Sequence, residues 1–184
     1  AGFYYKTFMW PRAFWEKLYE PLIRKAAGLG SLSMEADPDA YDKGFLHCDL
    51  LVIGGGAAGL MAALTAGRSG ASVILCDEDF RLGGRLLAET DLLDDAHATN
   101  WIARVEAELA SLPNVRILRR TTVFGVFDHG IYGAVERVGD HLATPTGVRQ
   151  TLWRITSKRA VLASGATERH IPFADNDRPG IMLA

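Results

Sequence analysis

Cysteine is scarce in this 184-residue sequence: there are two, Cys48 and Cys76, and they form no C-x-x-C pair. A disulfide scaffold, a zinc site and a thioredoxin-like redox pair are all disfavoured, and a reducing, cytoplasmic compartment is expected. An excess of one charge is lacking too. Lys and Arg number 20 against 22 Asp and Glu, which leaves no basic surplus to neutralise a phosphate backbone and argues against a nucleic-acid partner. Long apolar runs are nearly absent. The stretch from Leu50 to Gly67 carries no charge, but three consecutive glycines interrupt it at Gly54, Gly55 and Gly56, so it reads as strand, turn and buried helix, not as a membrane span. There is no initiator Met and no basic segment leading into an apolar run and a small-residue cleavage site, as expected of a chain that begins within a longer one. Finally, the five histidines (His47, His97, His129, His141 and His170) show neither H-x-x-x-H nor H-E-x-x-H spacing, so no metal site is expected.

What is present is an ordinary globular composition, 48% apolar and 23% charged, and a length suited to one domain or to one domain with a piece attached. Residues 1–47 stand apart as an aromatic arm and linker. Phe3, Tyr4, Tyr5, Phe8, Trp10, Phe14, Trp15 and Tyr19 crowd the first 19 positions, and a short arm cannot bury eight aromatic side chains by itself. They are expected to dock either on the rest of the chain or on another subunit. Arg12 to Ala27 reads as a helix kinked or divided at Pro21 and ended by Gly28 and Gly30. Ser31 to Gly44 reads as a polar linker.

From residue 48 onward strands and helices alternate. Asp49–Ile53, a helix over Leu60–Ser69 and Ser72–Cys76 form a β-α-β unit, which implies parallel strands. A second helix spans Thr99–Leu112, with Trp101, Ile102, Val105, Leu109 and Leu112 on one face and Pro113 stopping it. Val115–Leu118 is a third strand. Turn signals at Asp128–Gly130, Gly139–Asp140 and Thr144–Gly147 divide an antiparallel excursion of two or three strands. Ala160–Ala163 returns as a fourth buried strand. Cys48 and Cys76 fall at opposite ends of parallel neighbours, so no disulfide is expected.

The chemistry sits at Gly54-Gly55-Gly56-Ala57-Ala58-Gly59, a G-x-G-x-x-G that follows a strand and opens a helix. Gly54 permits the turn, Gly56 lets a pyrophosphate approach the backbone, and Gly59 lets the helix pack on the sheet. The amides around Ala57 and Ala58 face the phosphates from the positive end of the helix. Asp77, at the end of the second strand, has the spacing of the acid that accepts hydrogen bonds from the adenosine ribose, with Glu78 sharing that task or simply solvated. An acid there repels a 2′-phosphate, so NAD or FAD is expected in preference to NADP. His170, the one histidine near the crevice beyond the last strand, is more simply a loop residue than a functional one.

Gly83-Gly84-Arg85 and the strand end Ala163-Ser164-Gly165 resemble the flavoprotein disulfide reductase superfamily. That resemblance implies a Rossmann-like FAD/NAD(P)-binding α/β fold, a parallel sheet with an antiparallel excursion, incomplete over residues 48–184. It places Thr122 and Val123 beside the adenine. Arg85 either neutralises pyrophosphate charge or is a solvated surface arginine.

A closer resemblance covers essentially the whole chain. Gly2 to Gly30 (GFYYKTFMWPRAFWEKLYEPLIRKAAGLG), CDLLVIGGGAAGLMAAL, DEDFRLGGRLL and SGATERHIPFADNDRPGIMLA together resemble the alpha subunits of heterotetrameric sarcosine oxidases. The resemblance implies oxidative demethylation of sarcosine to glycine, giving hydrogen peroxide with formaldehyde or methylenetetrahydrofolate. It also implies beta, gamma and delta partner subunits, NAD on this chain, FAD and the amine on beta, FMN between alpha and beta, and tetrahydrofolate in a later part of alpha. NAD contacts then fall to Ala58, Asp77, Glu78, Arg85, Thr122 and Val123 with the motif glycines, and Ala57 stands where many members have proline. No catalytic residue is expected in this segment. Two other readings stay open from the residues themselves: FAD in this site of a pyridine-nucleotide-linked flavoprotein, or a non-catalytic dinucleotide-binding assembly module.

Overall fold

The computed structural model describes residues 11–30, 32–90, 92–93, 96–143, 147–166, 169 and 171–182. Contacts divide the chain into two compact units, Ala1–Pro38 and Asp39–Ala184.

In the first unit, a 3-10 turn at Arg12–Phe14 and a π turn at Trp15–Tyr19 lead into helix α1, Glu20–Ala26. Pro21 explains the division. Lacking an N–H, it fits only the first turn of a helix, and α1 begins around it. The helix closes with Gly28 N–H on the Lys25 carbonyl and Leu29 N–H on the Arg24 carbonyl, a Schellman arrangement. Of the aromatic arm, Phe3, Tyr4, Tyr5, Phe8 and Trp10 lie outside the described residues, while Phe14, Leu18 and Leu22 are exposed.

The second unit is built on a six-stranded sheet. Its strands are β1 (Ala40–Ile53), β2 (Val73–Cys76), β5 (Val115–Leu118), β6 (Thr121–Phe127), β7 (Ile131–Arg137) and β8 (Val148–Leu162). A separate small ladder pairs β3 (Leu92–Leu93) with β4 (Ala96–His97). The sheet order is β5-β2-β1-β8-β7-β6: β5, β2, β1 and β8 run parallel, and β7 and β6 continue antiparallel from β8. Helices α2 (Ala57–Arg68) and α3 (Ala98–Ser111) make the crossovers. This is a Rossmann-like α/β fold.

Two apolar clusters hold it together. On the helix side, Leu60, Ala63 and Leu64 of α2 and Ile102, Val105 and Leu109 of α3 pack with Val52, Val73 and Leu75 of the sheet. That arrangement is the α3 face expected from the sequence, with Trp101 and Leu112 half-buried at its margin. In the other cluster, Leu51, Ile74, Cys76 and Leu118 of β1, β2 and β5 meet Ala134 of β7 and Ile155 of β8. A bidentate ion pair from Arg68 to Glu108, at 2.6 and 2.8 Å, ties α2 to α3 at the surface. Arg149 bonds both Asp39 and Asp140, fixing the start of β1 to the loop after β7.

Several boundaries differ from the sequence expectation. β1 begins at Ala40, inside the expected linker, because Ala40–Cys48 pairs with β8. The strand is hard to recognise there: Tyr41 and Phe45 on it are exposed, and Gly44 is flattened under the Trp153 ring, which a Cβ would meet at 2.1 Å. Helix α2 starts three residues early, at Ala57, with Gly56 as its cap. Ala160–Ala163 is not a separate buried strand. Ala160–Leu162 ends the 15-residue β8, and Leu162 is 75% exposed. Pairing of β7 with β8 runs no further than Ile131 opposite Thr156, so beyond it β1 is the only strand paired with β8 among the described residues. The Asp128–Gly130 turn forms as expected, whereas Thr144–Thr146 of the next turn lies outside the described residues. No helix among the described residues is long and apolar enough to cross a membrane.

Cys48 and Cys76 are both buried free thiols. Burial pushes the Cys76 thiol up to about 12 and raises Cys48 as well. Since the thiolate is the nucleophile, neither should react with Ellman's reagent at pH 8 until the domain unfolds; rapid labelling of the folded protein would contradict this packing.

The Glu108 carboxyl is held below its ordinary value of 4.5 by the Arg68 hydrogen bonds. A depressed folded value gives stability that is present above the unfolded value and lost as pH falls through the folded one. Denaturation measured from pH 6 downward should therefore show weakening that begins near pH 4.5 and is shallower in Glu108→Gln, with a small difference that salt reduces, as for any exposed pair.

Candidate dinucleotide site

The site forms where β1, β2 and β8 end together. After Ile53 the chain leaves the sheet at Gly54, whose N–H donates to the Cys76 carbonyl at 2.8 Å, while Ala163 N–H donates to the Ile53 carbonyl at 2.8 Å. Gly54 has φ +104°, and a Cβ on it would lie 2.4 Å from the Ala163 carbonyl oxygen. A Cβ on Gly59 would lie 1.8 Å from the Gly54 carbonyl oxygen. Both positions must be glycine for the backbone to close, as the motif predicts.

Gly56 differs from these. Its φ is −72°, which any residue adopts, and a Cβ there meets nothing within 4 Å. It opens α2 by accepting the Leu60 N–H at 2.9 Å, and no side chain caps the helix. The N-terminal amides of α2, at exposed Ala57 and Ala58, are thus left with the partial positive charge of a helix start.

A crevice of about 660 Å³ opens over this turn, within the range of small-molecule sites. It is lined by Gly54, Gly56, Ala57, Ala58, Asp77, Glu78, Gly84, Arg85, Thr122, Val123 and Gly165. Every site residue expected from the sequence therefore borders one cavity, apart from Gly59, which is buried behind the turn. Gly55, Asp79, Glu89, Ser164 and Ala166 also line it without having been singled out as contacts. Only their proximity to motif residues could have suggested them.

Asp77 is half-buried, and its carboxylate already has partners. Oδ2 accepts the Gly55 N–H at 2.5 Å and Oδ1 accepts the Asp79 N–H at 2.8 Å. The acid is therefore part of the turn's architecture, a role that spacing alone did not reveal. Glu78 exposes its side chain, and its carbonyl accepts a hydrogen bond from Arg137. Gly83 N–H donates to the Gly55 carbonyl at 2.8 Å, which lays the Gly83-Gly84 pair against the motif. The guanidinium of Arg85 is 74% exposed and lies 3.5 Å from Glu89. Thr121, beside Thr122, is buried and donates its hydroxyl to the Arg119 carbonyl, which fixes the start of β6 at the crevice wall.

Among the described residues no group of three or more His, Cys, Asp and Glu could hold a metal ion. Glu168 and His170 lie outside the described residues. The crevice thus joins a row of free helix amides to a cluster of acids. That polarity suits a ligand with phosphates at one end and hydroxyl donors at the other.

Residues 49–111 match the FAD dependent oxidoreductase family. The chain is 57% identical over its full length to the sarcosine oxidase subunit alpha of Rhizobium meliloti (strain 1021), and spans 19% of that protein. It is 47% identical over 85% of its length to the sarcosine oxidase subunit alpha of Corynebacterium sp. (strain P-1), spanning 17% of it. Among solved structures, the L-proline dehydrogenase from P. horikoshii superposes with a TM-score of 0.58 at 26% identity, covering 80% of this chain and 28% of that one. The chain belongs to the sarcosine oxidase alpha-subunit family of oxidoreductases, and it spans about a fifth of the length of the curated relatives it matches.

Proposed function

We propose that this segment is the NAD-binding portion of the alpha subunit of a multi-subunit sarcosine oxidase. In that reading the assembled enzyme carries out oxidative demethylation of sarcosine to glycine, with hydrogen peroxide and formaldehyde or methylenetetrahydrofolate as products. FAD, FMN and tetrahydrofolate are then held elsewhere, by the partner subunits or by other parts of alpha. The residues described here bind and orient. The α2 amides at Ala57 and Ala58 take the pyrophosphate, Asp77 and Glu78 take the ribose hydroxyls, and the start of β6 at Thr122 and Val123 borders the adenine.

The observation that carries the proposal is Gly56. Packing and backbone conformation account for Gly54 and Gly59, but nothing among the described residues requires a glycine at position 56. Its missing side chain leaves room on the crevice side, where a pyrophosphate would approach. The acids Asp77, Glu78 and Asp79 all line the same end of the crevice and disfavour a 2′-phosphate by like-charge repulsion, which supports NAD over NADP.

A second reading, FAD in this crevice, is favoured by the family match over residues 49–111. NAD and FAD share the ADP moiety that these residues address, so the motif does not separate them.

Two substitutions separate a ligand-facing glycine from a packing one. In the full-length protein, Gly56→Ala should leave thermal stability unchanged while weakening NAD binding on the order of tenfold or more, about 1.4 kcal/mol or above. Gly59→Ala should instead destabilise the fold by about 1–3 kcal/mol through overpacking. Calorimetric titration with NAD and NADP, beside thermal melts, reads both effects. A Gly56→Ala protein that binds NAD as the parent does would remove the basis of the assignment.

A further inference from the structure

We infer that Asp77 is a positioning residue that latches the glycine turn, in addition to any contact it makes with a ribose. This inference rests on the dinucleotide reading above. Its basis is Gly55, the position that the G-x-G-x-x-G pattern leaves free. Both peptide groups of Gly55 are committed: its N–H donates to Asp77 Oδ2 at 2.5 Å, and its carbonyl accepts the Gly83 N–H at 2.8 Å. A Cβ on Gly55 would press to 2.5 Å on Leu82 Cδ2 and 3.0 Å on Asp77 Oδ2. The middle one of the three consecutive glycines is therefore required by the Leu82 side chain and the Asp77 carboxylate packed against it.

The other oxygen, Oδ1, accepts the Asp79 N–H at 2.8 Å, which closes the acid loop back on the same side chain. One carboxylate thus joins the phosphate end of the crevice to its ribose end, and Gly55 passes the connection on to the double glycine at Gly83. Hydrogen bonds to a charged acceptor are about twice as strong as neutral ones, and a part-buried amide that loses its acceptor keeps the full desolvation cost. Removing the Asp77 carboxylate should release the turn whether or not a ribose is present.

A ribose-only role and a latch predict different losses across two ligands. In the full-length protein, binding of ADP and of 2′,3′-dideoxy-ADP is measured for the parent, Asp77→Ala, Asp77→Asn and Gly55→Ala. A latch predicts that Asp77→Ala weakens both ligands, each by about tenfold, as expected for loss of charge-assisted hydrogen bonds. Asp77→Asn should fall between the parent and Asp77→Ala, because its amide can accept from only one of the two N–H groups. Gly55→Ala, which keeps the carboxylate but displaces it, should weaken the dideoxy ligand as well. The Gly55 and Asp79 amides should exchange hydrogen faster in Asp77→Ala without any ligand. If ADP binding falls while 2′,3′-dideoxy-ADP binding and amide exchange stay at parental values, Asp77 serves the ribose alone and the latch is wrong. If the parent binds neither nucleotide, the dinucleotide reading fails, and unchanged exchange at Gly55 and Asp79 would still overturn the latch by itself.

Discussion

Everything at the crevice depends on how closely α2 approaches the end of β1. The space between the Gly59 Cα and the Gly54 carbonyl will not admit a methyl group, and Gly54 in turn lies against the Ala163 carbonyl. Those contacts bring the strand end at Ile53 and the helix start at Ala57 to one point with Ala163, the residue after β8, far along the sequence. They also set the first amides of α2 at the carboxyl end of β1, an interior strand of the sheet. The large apolar cluster beneath, with Leu60, Leu75 and Leu109 fully buried, holds the helix in that position. Burial of such side chains contributes about 1.5–3 kcal/mol each. Packing energy in the core thus maintains a backbone arrangement that is useful only at the surface.

Much of this was legible in the sequence because the constraints are local. A glycine that must adopt positive φ, and one that must accept a carbonyl at contact distance, leave the same mark wherever this turn occurs. The apolar face of α3 was equally clear, since Ile102, Val105 and Leu109 repeat at helical spacing. The strands β1 and β8 were harder. Each is long, and each changes neighbours midway: β1 pairs with β8 alone until β2 joins it at Leu50, and β8 loses β7 beyond Thr156. Alternation of apolar and polar residues fails as a signal where Tyr41, Phe45 and Leu152 face outward and Gly44 is covered by Trp153. The strand over residues 40–47 therefore reads as linker in the sequence.

The candidate site shows the same contrast. All its expected members except the buried Gly59 line one crevice, yet the internal partners of Asp77 are invisible in the sequence, because a hydrogen bond from Gly55 depends on how the turn sits over β2. The sequence leaves Arg85 open between two uses. Its guanidinium lies near Glu89 on the crevice margin, a position that spacing alone could not give. The glycine turn, the double glycine and the acid loop meet at one crevice, and of the three motif glycines only Gly56 has room for a side chain among the described residues.

The most direct measurement is the identity of the nucleotide carried by the full-length chain after separation from any partner subunits. Denaturing the protein and characterising the released compound by mass and absorbance should yield NAD. Recovery of FAD from this chain would contradict the NAD assignment and favour the flavin-binding alternative. Recovery of no adenine nucleotide, together with no binding when NAD is added, would contradict the account of the crevice itself.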